Sequence, residues 1–176
     1  TKGQPRFDKK EENAVDRSTF DSDLQVLLAA ANSRIPAHSL PDLPDIPGFP
    51  GVPGWHEEEL ALWNQGEAIR QLVRTAGKKL NRTQIAEILD ICKNRNAGRG
   101  RESFVMLLGQ RAYAEYAPQI AALLGDRDVG GHCVYTLYKM RAAGYDAEIA
   151  PFLTHEKKWV SDYAKRYMQQ YGKSHN

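Results

Sequence analysis

The 176-residue sequence predicts an all-α protein in which stacked helical hairpins carry an extended N-terminal proline-rich arm. Three observations predict it. From residue 56 onward apolar residues recur at helical spacing, with no convincing strand. Residues 39–55 repeat a three-residue pattern of proline, large apolar and small or acidic positions. In the last third, a short helix, a turn and a longer helix occur twice. The composition is that of an ordinary globular chain, 41% hydrophobic and 26% charged. No run approaches the roughly 20 apolar residues of a membrane-spanning helix.

Residues 1–17 are polar and charged and read as an extended tail, because they hold too little apolar surface to offset the entropy of ordering. The opening on Thr1 points to a processed product or a fragment, compatible with a targeting segment already removed. Residues 18–35 predict a single helix. Ser18, Asp21 and Ser22 compete as its cap, Leu24, Leu27, Leu28 and Ala31 form its apolar stripe, and Pro36 ends it.

Residues 36–55 are expected to form a polyproline II-like arm. Pro41, Pro44, Pro47, Pro50 and Pro53 line one edge, and Leu40, Leu43, Ile46, Phe49, Val52 and Trp55 a second. Asp42, Asp45, Gly48, Gly51 and Gly54 line the third. A polyproline II helix has three residues per turn, so the sequence predicts an amphipathic rod spanning roughly 45 Å. Its apolar edge needs cover, either from this chain's own helices or from a partner's groove.

Residues 56–176 read as a helical repeat domain. Glu57, Glu58 and Glu59 suit the positive start of a helix that buries Leu62, Ile69, Leu72, Val73 and Ala76 and ends at Gly77. Asn81 with Gln84 predicts a capping box ahead of Ile85, Ile88, Leu89 and Cys92. A basic connector, Lys93 to Arg101, leads to an apolar helix with Phe104, Val105, Leu107, Leu108 and Ala112. Then Tyr116–Leu124 and 146–153 read as short helices, and 129–143 and 159–171 as longer ones. At an offset of 29, Ile120 matches Ile149, Leu124 matches Leu153, and Tyr138 matches Tyr167.

These residues, over about 103–172, resemble HEAT-like helical repeats, with Asp126-Arg-Asp128-Val129 standing at the family's usual turn. Gly130-Gly131 departs from the pattern, and Trp159-Val160 lacks its aspartates. The resemblance implies an α-solenoid fragment serving as a protein-binding scaffold, with no catalytic residues to carry over.

Charge is segregated: residues 1–69 carry −6, residues 70–111 +7 and residues 112–176 +1. The basic band makes Lys93, Arg95, Arg99 and Arg101 candidates for phosphate or nucleic-acid contact, against a plain solvated connector. Residues 96–103 lack the Gly-Lys-Ser/Thr ending of a phosphate-binding loop. Tyr135, Tyr138, Tyr163, Tyr167 and Tyr171 share helix faces, and read either as a half-buried core edge or as an exposed protein-binding surface. His132, Cys133, Asp126 and Asp128 lack the spacing of a zinc site, and the aspartates read as helix caps. Cys92 and Cys133, the only cysteines, read as small buried hydrophobes, and a disulfide between them stays open.

No nucleophile elbow, triad order or dinucleotide fingerprint appears, so we expect a non-enzyme without metal or cofactor. The expected function is a protein–protein interaction scaffold or accessory subunit. It would dock other protein subunits through the apolar edge (Leu43, Ile46, Phe49, Val52 and Trp55) and the tyrosine face. The alternatives are a nucleic-acid-binding helical repeat using residues 70–111, and a binding protein that neutralises another enzyme.

Overall fold

Apolar residues every three to four positions, punctuated by glycine and proline, produce an all-helical chain. The computed structural model describes the backbone of residues 9–173 and the side chains of residues 17–173. The tail residues before Lys9 lie outside the described residues.

Helix α1 spans Lys9–Ser33, so it begins well before Ser18, and the expected caps Ser18, Asp21 and Ser22 lie inside it. Phe20, Leu24, Leu28 and Ala31 form its buried face, with Leu27 at the margin. Polar ties fix it to the body: Arg17 Nη1 donates to the Lys79 carbonyl at 2.7 Å, Gln84 Nε2 to Asp21 at 2.7 Å, and Gln65 Nε2 to the Leu27 carbonyl at 3.3 Å.

Helix α2 (Glu57–Ala76) is the central element, packed on α1, on the 95–101 segment and on α4. It ends as expected, with Gly77 in the left-handed region (φ 61°) and its N–H on the Val73 carbonyl. Helix α3 (Arg82–Lys93) starts from the predicted capping box: Asn81 and Gln84 exchange backbone-to-side-chain bonds of 2.8 and 2.9 Å.

The expected connector is instead folded. Arg95–Arg101 forms 3₁₀ turns, and Ala97, Gly98, Gly100 and Arg101 are buried. Glycine makes this approach feasible: a Cβ on Gly100 would lie 2.8 Å from the Glu59 carbonyl oxygen and 2.9 Å from Leu62. Helix α4 (Glu102–Leu107) stops sooner than its apolar run suggested, and Arg111–Tyr116 is again 3₁₀.

Two short–long helix pairs follow: α5 (Ala117–Ala121) with α6 (Gly130–Met140), then α7 (Asp146–Ile149), continued by 3₁₀ turns over Ala150–Thr154, with α8 (Lys158–Tyr171). Helix α6 ends earlier than expected because Arg141 takes the left-handed conformation (φ 58°) that terminates it. Ile120 and Ile149, the residues 29 apart, are both fully buried, and α6 packs on α8. Cys92 and Cys133 are free thiols within the core.

A tight contact between α2 and α4 is at Gly66 of α2. A Cβ there would lie 2.0 Å from Ser103 Oγ, which donates to the Trp63 carbonyl, and 2.9 Å from the Phe104 ring. Gly66→Ala gains up to about 1 kcal/mol of helix propensity but overpacks the α2–α4 contact, which costs about 1–3 kcal/mol. We expect a net loss of stability, read as a lower urea midpoint at unchanged m-value.

Candidate functional site

The segment between α1 and α2 does not form the expected straight rod. Proline at the second and glycine at the third position of a four-residue turn is the arrangement of type II turns, which need positive φ at the glycine. Ile46-Pro47-Gly48-Phe49 and Phe49-Pro50-Gly51-Val52 are two such turns in succession, with Gly48 at φ 84° and Gly51 at φ 79°. Phe49 N–H donates to the Ile46 carbonyl at 2.9 Å and Val52 N–H to the Phe49 carbonyl at 3.1 Å. Ile46 N–H reaches the Val52 carbonyl at 2.8 Å, and Gly54 N–H the Pro44 carbonyl at 2.9 Å. Asp45 and Pro53 thereby face each other in an antiparallel bridge, and the Asp45 carboxylate accepts Gly51 N–H at 2.7 Å. The arm is a hairpin whose tip is a double Pro-Gly turn.

Its base is held by this chain. The His56 ring meets the Pro41 carbonyl at 2.6 Å, and Asn96 Nδ2 donates to the Ala37 carbonyl at 3.0 Å. Arg99 lies 3.8 Å above the Trp55 ring and donates to the Pro53 carbonyl at 3.2 Å. Arg127 makes a two-pronged pair with Asp42. Of the apolar edge, Leu40, Leu43 and Trp55 are half-buried, whereas Ile46, Phe49 and Val52 at the tip are 39%, 61% and 41% exposed.

The four basic candidates do not form one anion surface. Arg101 is fully buried, so it is not available to an external phosphate. Its guanidinium holds the Asp126 carboxylate at 2.9 and 3.0 Å, reaches Asp128 at 3.3 Å, and donates to the carbonyls of Gly98 (2.7 Å) and Cys92 (3.3 Å). Asp126 and Asp128 are therefore partners of this cation and not caps of α6, which has no side-chain cap. Burial pushes the Asp126 carboxyl up, but the Arg101 bonds, the Asp128 N–H and the Arg101 charge outweigh it and hold it below the usual range. Arg99 is committed to Trp55 and lies 3.6 Å from Glu102, and Lys93 meets Gln119. Arg95 extends into solvent, 3.8 Å from Asp126, and Lys93 is likewise exposed.

Between the hairpin base, the 95–101 segment and the 125–128 turn lies a cleft of about 680 Å³. Its charged lining is of mixed sign and largely self-paired: Asp42 with Arg127, and Asp126 with Arg101 and Arg95.

The tyrosines pack mainly on one another. Tyr135 and Tyr138 of α6 meet Tyr163 of α8 with ring centroids 4.9 and 5.5 Å apart. Tyr171 lies against Tyr138 and Tyr167. Tyr167 is fully buried, donating to the Ala142 carbonyl at 2.6 Å and accepting Tyr145 N–H at 3.1 Å. The set is a half-buried seam between α6 and α8.

A pairing that the sequence did not suggest joins α4, α6 and α8. His132 Nε2 lies 3.7 Å from Glu102, and its ring sits 4.9 Å from that of Trp159. Burial, then the Lys157 and Arg99 charges, pull His132 down from 6.5 to about 4. Burial pushes Glu102 up from 4.5 to about 7, against the opposing Arg99 and Lys157 charges. Both groups are neutral in the folded chain between those limits. Among the described residues no group of three or more His, Cys, Asp or Glu could hold a metal ion.

Two outcomes follow. Arg101→Met strands the buried Asp126 carboxylate and is expected to cost about 3–5 kcal/mol in urea denaturation, with partial recovery on adding Asp126→Asn. The buried acid and base act on stability in opposite senses. His132 contributes fully above 6.5, and its contribution is lost as pH falls toward about 4. Glu102 contributes fully below 4.5, and its contribution is lost as pH rises toward about 7. The two slopes cancel between 4.5 and 6.5. In that window, urea midpoints should rise with pH in Glu102→Gln and fall with pH in His132→Gln.

Compared with known proteins, the chain matches no family model, no curated protein and no solved structure.

Proposed function

We propose that the protein is a non-catalytic interaction module, an accessory subunit or scaffold that engages another protein through the tip of its proline-rich hairpin. The observation that carries this is the exposure of Ile46, Phe49 and Val52 on a hairpin whose base is fixed by Trp55, His56, Arg99 and Arg127. A preformed loop has less conformational freedom to lose on association, so its apolar side chains return more of their burial as affinity. Phe49 is the expected anchor, since aromatic residues dominate the energetics of interfaces.

The helical body behind the hairpin fits a short solenoid of the HEAT-like kind. The repeated short–long helix pairs and the matched burial of Ile120 and Ile149 support that comparison. The body would present the hairpin and offer a second surface. Arg99 and Arg101 are used internally and the tyrosines pack on each other, so neither set favours phosphate capture or enzyme plugging as the main role.

Affinity purification of the full chain from its native source, followed by mass spectrometry, tests this against a Phe49→Asp variant. Phe49 is an exposed turn residue, so the variant should melt within a few degrees of the parent. The partner recovered with the parent should be reduced at least tenfold with Phe49→Asp. Equal recovery by both, or a parent chain that elutes alone as a monomer, overturns the proposal.

A further inference from the structure

Of the nine prolines in the chain, Pro47, Pro50 and Pro53 alone precede a glycine. They lie in the run Gly48-Phe-Pro50-Gly51-Val-Pro53-Gly54, two Gly-X-Y triplets closed by a glycine, with Pro47 just ahead of it. In collagen the proline before each glycine is the position that often carries hydroxyproline. Here the run is folded as two turns and not wound with other chains, so each proline can be judged by its surroundings.

Pro47 and Pro50 are exposed, each at the second position of its type II turn. A Cβ on Gly48 or Gly51 would meet nothing within 4 Å, so the corner beside each proline is open to an approaching protein. Neither turn bond uses a proline atom, since they run from Phe49 N–H to Ile46 and from Val52 N–H to Phe49. A substituent on ring carbon C4 therefore leaves both turns intact. Pro53 is placed differently. It is half-buried, faces Asp45 in the bridge and gives its carbonyl to Arg99. A Cβ on Gly54 would lie 3.5 Å from the Leu43 side chain and from the Pro44 carbonyl oxygen, so this corner is closed. Pro41 and Pro44 are exposed, but each precedes an aspartate.

We propose that Pro47 and Pro50 are sites of 4-hydroxylation by an iron- and 2-oxoglutarate-dependent prolyl hydroxylase, each read through the glycine that follows it, and that Pro53 is not. One atom of dioxygen enters the C4–H bond of the proline as a hydroxyl. The other enters succinate as 2-oxoglutarate loses carbon dioxide. Proline and 2-oxoglutarate each give up one electron pair, which together reduce the dioxygen at the enzyme's non-haem iron. The product carries a hydroxyl on either side of Phe49. This inference stands apart from the docking role of the tip, because modification needs access to the two turns and not a partner for Phe49.

Peptide mapping of the full chain from its native source tests this. Trypsin releases residues 35–70 as one peptide that holds every proline of the arm. It should gain the mass of one oxygen at Pro47 and of one at Pro50, with fragment ions separating these from oxidised Trp55 or Trp63. Pro41, Pro44 and Pro53 should be unmodified. The unmodified recombinant chain is then incubated with a collagen-type prolyl 4-hydroxylase, iron(II), ascorbate and 2-oxoglutarate under heavy-isotope dioxygen. It should take the label at the same two prolines, beside a Pro-Gly collagen peptide that shows the enzyme to be active. Asparagine tolerates the positive φ of a type II turn, so Gly48→Asn/Gly51→Asn should keep the far-ultraviolet circular dichroism of the parent and lose the label. The proposal is overturned if Pro47 and Pro50 are unmodified in the native chain, or if the recombinant chain stays unlabelled beside a labelled collagen peptide. Equal modification of Pro41 and Pro44, label confined to Pro53, or undiminished label in the asparagine variant overturns it as well.

Discussion

The guanidinium of Arg101 is the point on which the middle of this molecule depends. It draws together three stretches of chain: the 3₁₀ segment that carries it, the end of α3 through the Cys92 carbonyl, and the 126–128 turn ahead of α6. A cation at this depth is tolerable only when its donors are met and its charge is opposed. Both conditions hold here, since Asp126 accepts two parallel bonds and two carbonyls take further donors. Such a pair is weak evidence for net stability against an apolar substitute. It strongly opposes other arrangements, because any shift of the turn relative to α3 would leave an ion buried without its partner.

The hairpin inherits its position from the same region. Arg99, two residues before Arg101, holds Trp55 and the Pro53 carbonyl, while Arg127, between the two aspartates, holds Asp42. The Arg127–Asp42 pair is solvent-exposed at both ends, and such pairs add little net stability. The stacked indole and the backbone bonds through Asn96 and His56 therefore carry more of the attachment than the surface charges do. Loop and core are coupled because alternate residues of one short segment face opposite ways.

Much of the helical frame was legible in the sequence because local chemistry dictates it. Asn81 with Gln84 and Gly77 after Ala76 specify helix ends within a few residues of themselves, and the apolar stripes of α2 and α3 follow the helical period. The arm was misread for a specific reason. Proline and glycine at every third residue satisfy a polyproline II rod and a chain of type II turns equally well, and only the contacts of Asp45, Trp55 and their neighbours select the turns. Arg101 escaped because side-chain burial depends on Asp126, 25 residues away. The tyrosine seam was legible as a face, while its partner helix was not, since pairing of α6 with α8 is a tertiary fact.

The two thiols of the core illustrate what close packing does to reactivity. Burial pushes Cys92 up to about 12 and Cys133 well above its ordinary value, so neither supplies the thiolate that alkylating and oxidising agents attack. With both sulfurs at zero exposure, modification has to wait for the surrounding helices to part. Slow alkylation would then act as a clock for global opening, insensitive to fraying of α1 or movement of the hairpin.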